Sequence, residues 1–230
     1  MNKVLKGGLS LRIISGLVAV LLVMTFVGCS KKGGGGGGSK AAPASDFSYD
    51  LTADGSGIKI TNYTGNGGVV VIPSKIEDMP VTEIGIRAFE GSRDDYDPNE
   101  KDAIISIVVP DSVVTIGENA FIRMRNLTKA TLPKGLKVIQ ASTFASCKKL
   151  ASVNLPSNLE EIGTSVFYGC SELSDLIIPD TIKSMKFLRH KDHSYSPPQE
   201  FGDGEAFVGC QKLPIKTRQR LQELGYKDKF

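Results

Sequence analysis

Hydrophobic side chains return along most of this chain with a period far longer than that of a helix or a strand. Prolines fall at Pro110, Pro133, Pro156 and Pro179, each 23 residues after the last, and the apolar positions keep step with them. Three residues past each proline stand Val113, Leu136, Leu159 and Ile182, and six past stand Ile116, Ile139, Ile162 and Met185. Phe121, Phe144 and Phe167 occupy the eleventh place, and Leu127, Leu150 and Leu173 the seventeenth. Ala130, Val153 and Leu176 at the twentieth place, with Leu132, Leu155 and Ile178 at the twenty-second, complete the cycle.

Each cycle predicts a strand that ends at the proline, such as Leu150–Leu155, with alternate side chains turned inward. Proline fits a strand end because it has no N–H to give to a ladder. A second short extended piece carries the sixth place, and a short helical turn carries the phenylalanine. No single cycle can bury its own apolar side, so the cycles must stack into a solenoid with one continuous core. The cycle beginning at Pro73 keeps the same slots (Ile76, Ile84-Gly85, Ala88-Phe89, Ile104, Ile107, Val109) but spans 37 residues, with extra length before Val81 and near 93–103. After Pro179 the pattern breaks at Met185 and resumes at Ala206-Phe207, Cys210 and Leu213, which makes Lys186–Gly204 an insertion.

The repeats therefore occupy 73–213, and the ends need covers. Phe47–Leu51, Ile58–Tyr63 and Val69–Ile72 alternate as strands, with Asp54-Gly55 and Asn66-Gly67 as turns, so 47–72 is expected to form an N-terminal β cap. At the other end, 214–230 is expected to form a helical cap over Pro214–Leu224, with Pro214 near its start and Gly225 just past its end. Leu221 and Leu224 would lie on the last cycle, while Arg218, Gln222 and Glu223 would face water.

Leu159, Ile162-Gly163, Val166-Phe167, Cys170, Leu173, Leu176 and Ile178-Pro179 together resemble the BspA-like class of bacterial leucine-rich repeat, and the resemblance runs from about Phe47 to Phe230. Gln140 in the glycine slot, Met124 in the cysteine slot and the two insertions depart from that pattern. The resemblance implies a leucine-rich repeat fold. It also implies a surface protein adhering to host matrix or plasma proteins, of which fibronectin and fibrinogen are the family's usual partners.

The N-terminus adds an address. Lys3, Lys6 and Arg12 precede a nearly all-apolar run, Ile13–Val27, which is shorter than the roughly 20 apolar residues of a membrane-spanning helix. It ends in Phe26-Val27-Gly28-Cys29, which resembles a bacterial lipobox, so 1–28 is expected to be a signal peptide and Cys29 the lipidated residue. An uncleaved anchor and a secreted product are the alternatives. Residues 29–46 then form a tether, with a glycine run at Gly33–Gly38 and Ala41-Ala42-Pro43-Ala44-Ser45 after it. Several acyl chains give stable anchoring where one does not.

Charge narrows the partners. The chain carries 28 Lys+Arg and 25 Asp+Glu, and three of those bases lie before Cys29, so the mature part is neutral. That is not the basic surface of a nucleic-acid binder. Cys147, Cys170 and Cys210 share the fourteenth place of the repeat with Met124, a slot for a modest apolar side chain. Inert packing is the expected role, with a disulfide or metal site between adjacent cycles as the alternative. His190 and His193, near Asp192 and Asp203, lie in an irregular insertion without a fixed third ligand. Asp95, Asp97 and Asn99 begin a calcium-loop pattern that fails at Glu100, where glycine is required, and at Ser106, where a glutamate belongs. No nucleophile is visibly paired with either histidine.

These readings converge on a non-enzymatic binding module without cofactor or metal, held in the bacterial envelope and facing outward from the outer membrane or cell surface. The side chains expected to point outward on its parallel sheet are Ser106 and Val108, Lys129 and Thr131, Ser152 and Asn154, and Asp175 and Ile177. The last six are candidate contacts for a protein ligand, with Phe187, Arg189 and Tyr195 of the second insertion beside them. A periplasmic or envelope scaffold that binds other envelope components is the second reading.

Overall fold

The computed structural model describes residues 40–92, 103–183, 206–227 and 230. The segment expected to be a signal peptide, Cys29, most of the expected tether and nearly all of both insertions lie outside the described residues, and so do the histidines and the failed calcium-loop residues before Ser106. Among the described residues, eleven strands and one α-helix follow a short 3-10 turn at Ala44–Asp46. One parallel sheet contains β3 (Gly68–Val71), β6 (Ile104–Val108), β8 (Lys129–Thr131) and β10 (Ser152–Asn154), and its register repeats the 23-residue spacing: Ser106 lies beside Lys129, and Lys129 beside Ser152. The stack continues past β10 through a bridge from Ser152 to Asp175.

A second ladder carries the sixth-place residues. It joins β2 (Ile58–Tyr63), β5 (Met79–Ile84) and β7 (Thr115–Ile116) in parallel, and separately β9 (Val138–Ile139) with β11 (Glu161–Ile162). The break between β7 and β9 has a steric cause. At the glycine slot the chain passes so close to the preceding rung that a Cβ on Gly85 would lie 2.8 Å from the Ile60 carbonyl oxygen. On Gly117 it would lie 2.7 Å from the Ile86 nitrogen, and on Gly163 it would lie 2.8 Å from the Ala141 nitrogen. Gln140 brings a Cβ to that slot, and the ladder opens there. The extra length before Val81 is a hairpin between β4 (Lys75–Ile76) and β5, turned by Glu77 and Asp78 with φ of 50° and 62°. Two consecutive left-handed residues are what a type I′ turn requires.

The third ladder corrects an expectation. The phenylalanine segments are not helical turns; they are non-helical turns bonded rung to rung. The Phe121 N–H donates to the Thr143 carbonyl, Phe144 to Val166 and Phe167 to Ala206. Left-handed residues bracket each turn (Asn119 and Arg123, Ser142 and Ser146, Ser165 and Gly169), which breaks any run of helical dihedrals and directs the N–H groups to the neighbouring rung. The rings stack through the whole core: Phe89, Phe121, Phe144, Phe167 and Phe207 follow one another at centroid separations of 5.3, 5.3, 5.7 and 5.4 Å.

Nearly all the inward slots read from the sequence are buried. Among the described residues Leu155 is the exception, half-buried at the margin of the core.

The expected N-terminal cap is shared between covering and stacking. β2 and β3 extend the two parallel ladders by one rung, and only β1 (Phe47–Leu51) runs antiparallel, along β2. The tether joins the fold earlier than Phe47. The Ala42 N–H donates to the Val71 carbonyl at 2.8 Å, and Thr64 donates to the Asp46 carbonyl at 2.8 Å.

At the other end, α1 (Ile215–Glu223) buries Leu221 and is followed by Gly225 with φ 93°. Its Thr217 hydroxyl donates to the Leu176 carbonyl at 2.7 Å, satisfying an acceptor on the last sheet rung. Arg218 is only partly exposed rather than turned fully to water. Its guanidinium donates to the Leu213 and Gln211 carbonyls and lies 5.2 Å over the Phe230 ring. No helix among the described residues is long and apolar enough to cross a membrane.

The cysteine slot does more than pack. The thiols of Cys147, Cys170 and Cys210 donate to the carbonyls of Phe121, Phe144 and Phe167, one rung earlier, at 3.1, 3.2 and 3.0 Å. All three are buried and free of disulfides. Burial raises the Cys170 pKa well above the ordinary value and pushes Cys210 up to about 12, so both stay protonated and neither is a ready nucleophile or metal ligand.

Two outcomes follow. Phe144→Ala removes a central ring of the stack and should lower stability by about 3–5 kcal/mol in chemical unfolding; a loss under about 1 kcal/mol would contradict the stacked core. The Cys170 and Cys210 thiols have folded pKa values above the unfolded one, so their contribution is complete below the unfolded value and drains as pH rises from 9.0, for Cys210 toward about 12. The unfolding midpoint of the parent should fall above pH 9, and that of Cys210→Ala should fall less steeply. Equal slopes would refute the thiol's part.

Candidate protein-binding face

The outward side chains of the parallel sheet line up in two columns because side chains alternate along each strand while the strands pair at the repeat spacing. The first column runs Val69, Ser106, Lys129, Ser152 and Asp175; the second runs Val71, Val108, Thr131 and Asn154, with Ile177 one repeat further. The structure thus brings Lys129, Thr131, Ser152, Asn154, Asp175 and Ile177 onto one face. Phe187, Arg189 and Tyr195 lie outside the described residues.

Two of these side chains also serve the fold. Backbone N–H groups at successive rungs donate onward to the next strand, Ile72 to the Val108 carbonyl and Val109 to the Thr131 carbonyl. At the next step the Leu132 N–H meets the Asn154 side-chain oxygen instead, at 2.9 Å. Asn154 therefore stands in for a missing backbone acceptor. The Ser152 hydroxyl donates to the Asp175 carboxylate at 2.8 Å, tying the last two rungs of the first column together. Lys129, Thr131 and Ile177 have no side-chain hydrogen bond or ion pair among the described residues, and Ile177 is 79% exposed.

Outside the sheet, exposed charges pair across rungs. Lys134 meets Asp111 at 3.2 Å, and Lys212 meets Glu172 at 2.6 Å. The Lys134 backbone N–H and then its side chain hold the Asp111 carboxyl below its ordinary value. Lys137 likewise pairs with Glu160. These contacts neutralise the flank without building a cleft.

The described residues contain no group of three or more His, Cys, Asp or Glu arranged to hold a metal ion. They do hold a groove, not anticipated from the sequence, at the end of the sheet beyond β10. It combines Ser152, Leu155, Ser157, Asp175, Ile177 and Asp180 from two rungs. The 23-residue spacing of Ser152 with Asp175 and of Ser157 with Asp180 was the available signal.

Comparison with known proteins agrees with this geometry. The model of the BspA type leucine rich repeat region matches residues 95–188, in six copies. The solved structure of the leucine-rich repeat protein of T. pallidum is similar at a TM-score of 0.60 and 30% identity, covering 82% of this chain and 97% of that one. A leucine-rich repeat protein from Bacteroides ovatus is similar at 0.52 and 29% identity over 61% of this chain, which spans 36% of that protein's length. No curated protein matches the chain. With its 23-residue register, its stacked phenylalanines and a relative matched over nearly its whole length, the chain belongs to the BspA-type leucine-rich repeat family.

Proposed function

We propose that the protein is a lipid-anchored bacterial binding module, displayed on the cell surface, that adheres through its parallel sheet to host matrix or plasma proteins of the fibronectin and fibrinogen kind. The repeats form a solenoid with β1 and α1 as its covers, and the chain performs no catalysis of its own. The observation that carries this reading is the ordered, shallow face of two side-chain columns. Such a surface suits a broad protein contact better than a small substrate, which needs a concave and largely apolar pocket. Leucine-rich repeats serve as protein-binding modules, and this stack leaves Lys129, Thr131 and Ile177 free for a ligand. Phe187, Arg189 and Tyr195 would add contacts from the insertion at 186–204.

The tether supplies the setting. Residues between Cys29 and Lys40 would let the domain range about 20 Å from its anchor, by the square-root rule for glycine-rich linkers. Because Ala42 pairs with β3, the tether leaves from the first rung of the sheet, so the binding face would stay clear of the membrane.

The chain should bind immobilised fibronectin or fibrinogen saturably, and Lys129→Glu should weaken that binding by about tenfold, the scale of a contact worth more than 1 kcal/mol. Binding that is absent, or indifferent to every column substitution, would remove the adhesion reading. Protease cleavage of intact cells separates surface display from the envelope-scaffold alternative, since a protein cut only after lysis does not face outward. Cys29→Ala should abolish metabolic lipid labelling and leave uncleaved precursor; labelled, membrane-bound variant would eliminate the anchor.

A further inference from the structure

The groove beyond β10 has a volume of about 460 Å³. Along the flank of the repeats three exposed carboxylates meet a base one repeat away, Asp111 with Lys134, Glu160 with Lys137 and Glu172 with Lys212. The groove's two carboxylates meet none. One repeat before Asp175 stands Ser152, and one repeat before Asp180 stands Ser157. Among the described residues neither aspartate has an ion-pair partner and no basic side chain lines the groove. Lys183, just past the groove, donates its ammonium to the Asp180 backbone carbonyl at 2.7 Å and leaves the carboxylate open.

The remainder of the groove is apolar. Ile177, at 79%, is the most exposed large hydrophobic side chain among the described residues, and Leu155 lies half-buried beside it. An exposed aliphatic side chain flanked by two carboxylates, one held only by the Ser152 hydroxyl and neither by a base, matches the stem and head of a lysine or arginine: the methylenes cover the apolar surface while the cation reaches the acid. On the edge beyond the groove the Thr217 hydroxyl of α1 already takes the Leu176 carbonyl, so the groove offers a partner chiefly its side chains.

We propose that this groove is a docking site for a cationic, amphipathic segment of a partner protein, which sets a Lys or Arg against Asp175 and Asp180 and an apolar side chain on Ile177 and Leu155. The assignment rests on the binding role proposed above and specifies the chemistry of its partner. Complementary charge at such a site sets specificity and encounter rate.

The test uses the full chain and two fluorescein-labelled twelve-residue peptides, one alternating lysine with leucine and one alternating glutamate with leucine, read by fluorescence anisotropy. Saturable binding of the lysine peptide is expected, weakened at least tenfold in Asp175→Asn/Asp180→Asn and again in Ile177→Ser. Asp111→Asn/Glu160→Gln, which removes the same charge from the flank, should bind as the parent does. Both aspartates are exposed, so a melting midpoint close to the parent's will show that the double variant is folded. Unchanged binding in that variant, equal loss in the flank control, equal binding of the glutamate peptide, or no saturable binding would each overturn the proposal. Fibronectin binding that survives Asp175→Asn/Asp180→Asn would keep the adhesion reading and discard the groove as its contact. Lysine-peptide binding that depends on the two aspartates, without any fibronectin binding, would keep the groove and discard that partner.

Discussion

The structure depends on a thickness constraint. One turn of this chain is a single side chain deep, so a phenylalanine carried by a rung has no interior until another rung lies on each side. Backbone ladders set strands about 4.8 Å apart, and the rings stack at 5.3–5.7 Å. Their planes range from parallel, 1° between Phe144 and Phe167, to 44° between Phe89 and Phe121, so the stack tolerates several ring orientations at nearly one spacing. A column of this kind can be extended by repetition but cannot terminate itself. At both ends the series passes to a tyrosine whose hydroxyl accepts a backbone N–H. Tyr63 stacks on Phe89 and accepts from Gly67, while Tyr226 meets the edge of Phe207 and accepts from the Phe207 nitrogen. An amphipathic ring closes an apolar stack because one end of it can be polar.

That constraint explains which parts of the molecule were legible in the sequence. Inward slots must hold apolar side chains at every turn, so period alone located Val113, Leu136 and Leu159, or the phenylalanines, and their burial follows. The conformation of the phenylalanine turn was not legible. Left-handed φ is met by Asn119, Ser142, Ser165, Arg123 and Gly169 in turn, and so mixed a set carries no single signal. The thiol hydrogen bonds were hidden for a related reason. Met124 fills the same slot and packs equally well, so the sequence advertises volume and conceals the Cys170 bond to the Phe144 carbonyl. Arg218 was misassigned because its aliphatic stem and planar head let it lie on Phe230 while donating to backbone carbonyls at the end of the stack.

Outward slots obey the opposite logic. Register brings one repeat's residue beside the next, so each polar choice is also a choice of neighbour. Lys137 beside Glu160 neutralises itself, as does Lys134 beside Asp111, and Asn154 is taken by the backbone of the previous rung. Exposure alone therefore says little about what a side chain can offer to a ligand. A position is most available where the neighbouring rung offers it no opposite charge: among the described residues Asp175 receives only the Ser152 hydroxyl, and Asp180 and Ile177 receive no side chain at all.

This also bears on how such a scaffold acquires specificity. A change at an inward slot disturbs two interfaces at once, since every ring touches the rung before and the rung after. Replacing Ser152 or Ser157 with a lysine would disturb no buried contact, yet it would place a cation beside Asp175 or Asp180 and close the groove electrostatically. The energetic separation between the two kinds of slot is wide: several kcal/mol inside, and about 0–1 kcal/mol for an exposed ion pair. Binding chemistry on this fold can thus be rewritten one outward residue at a time while the stack beneath it holds its register.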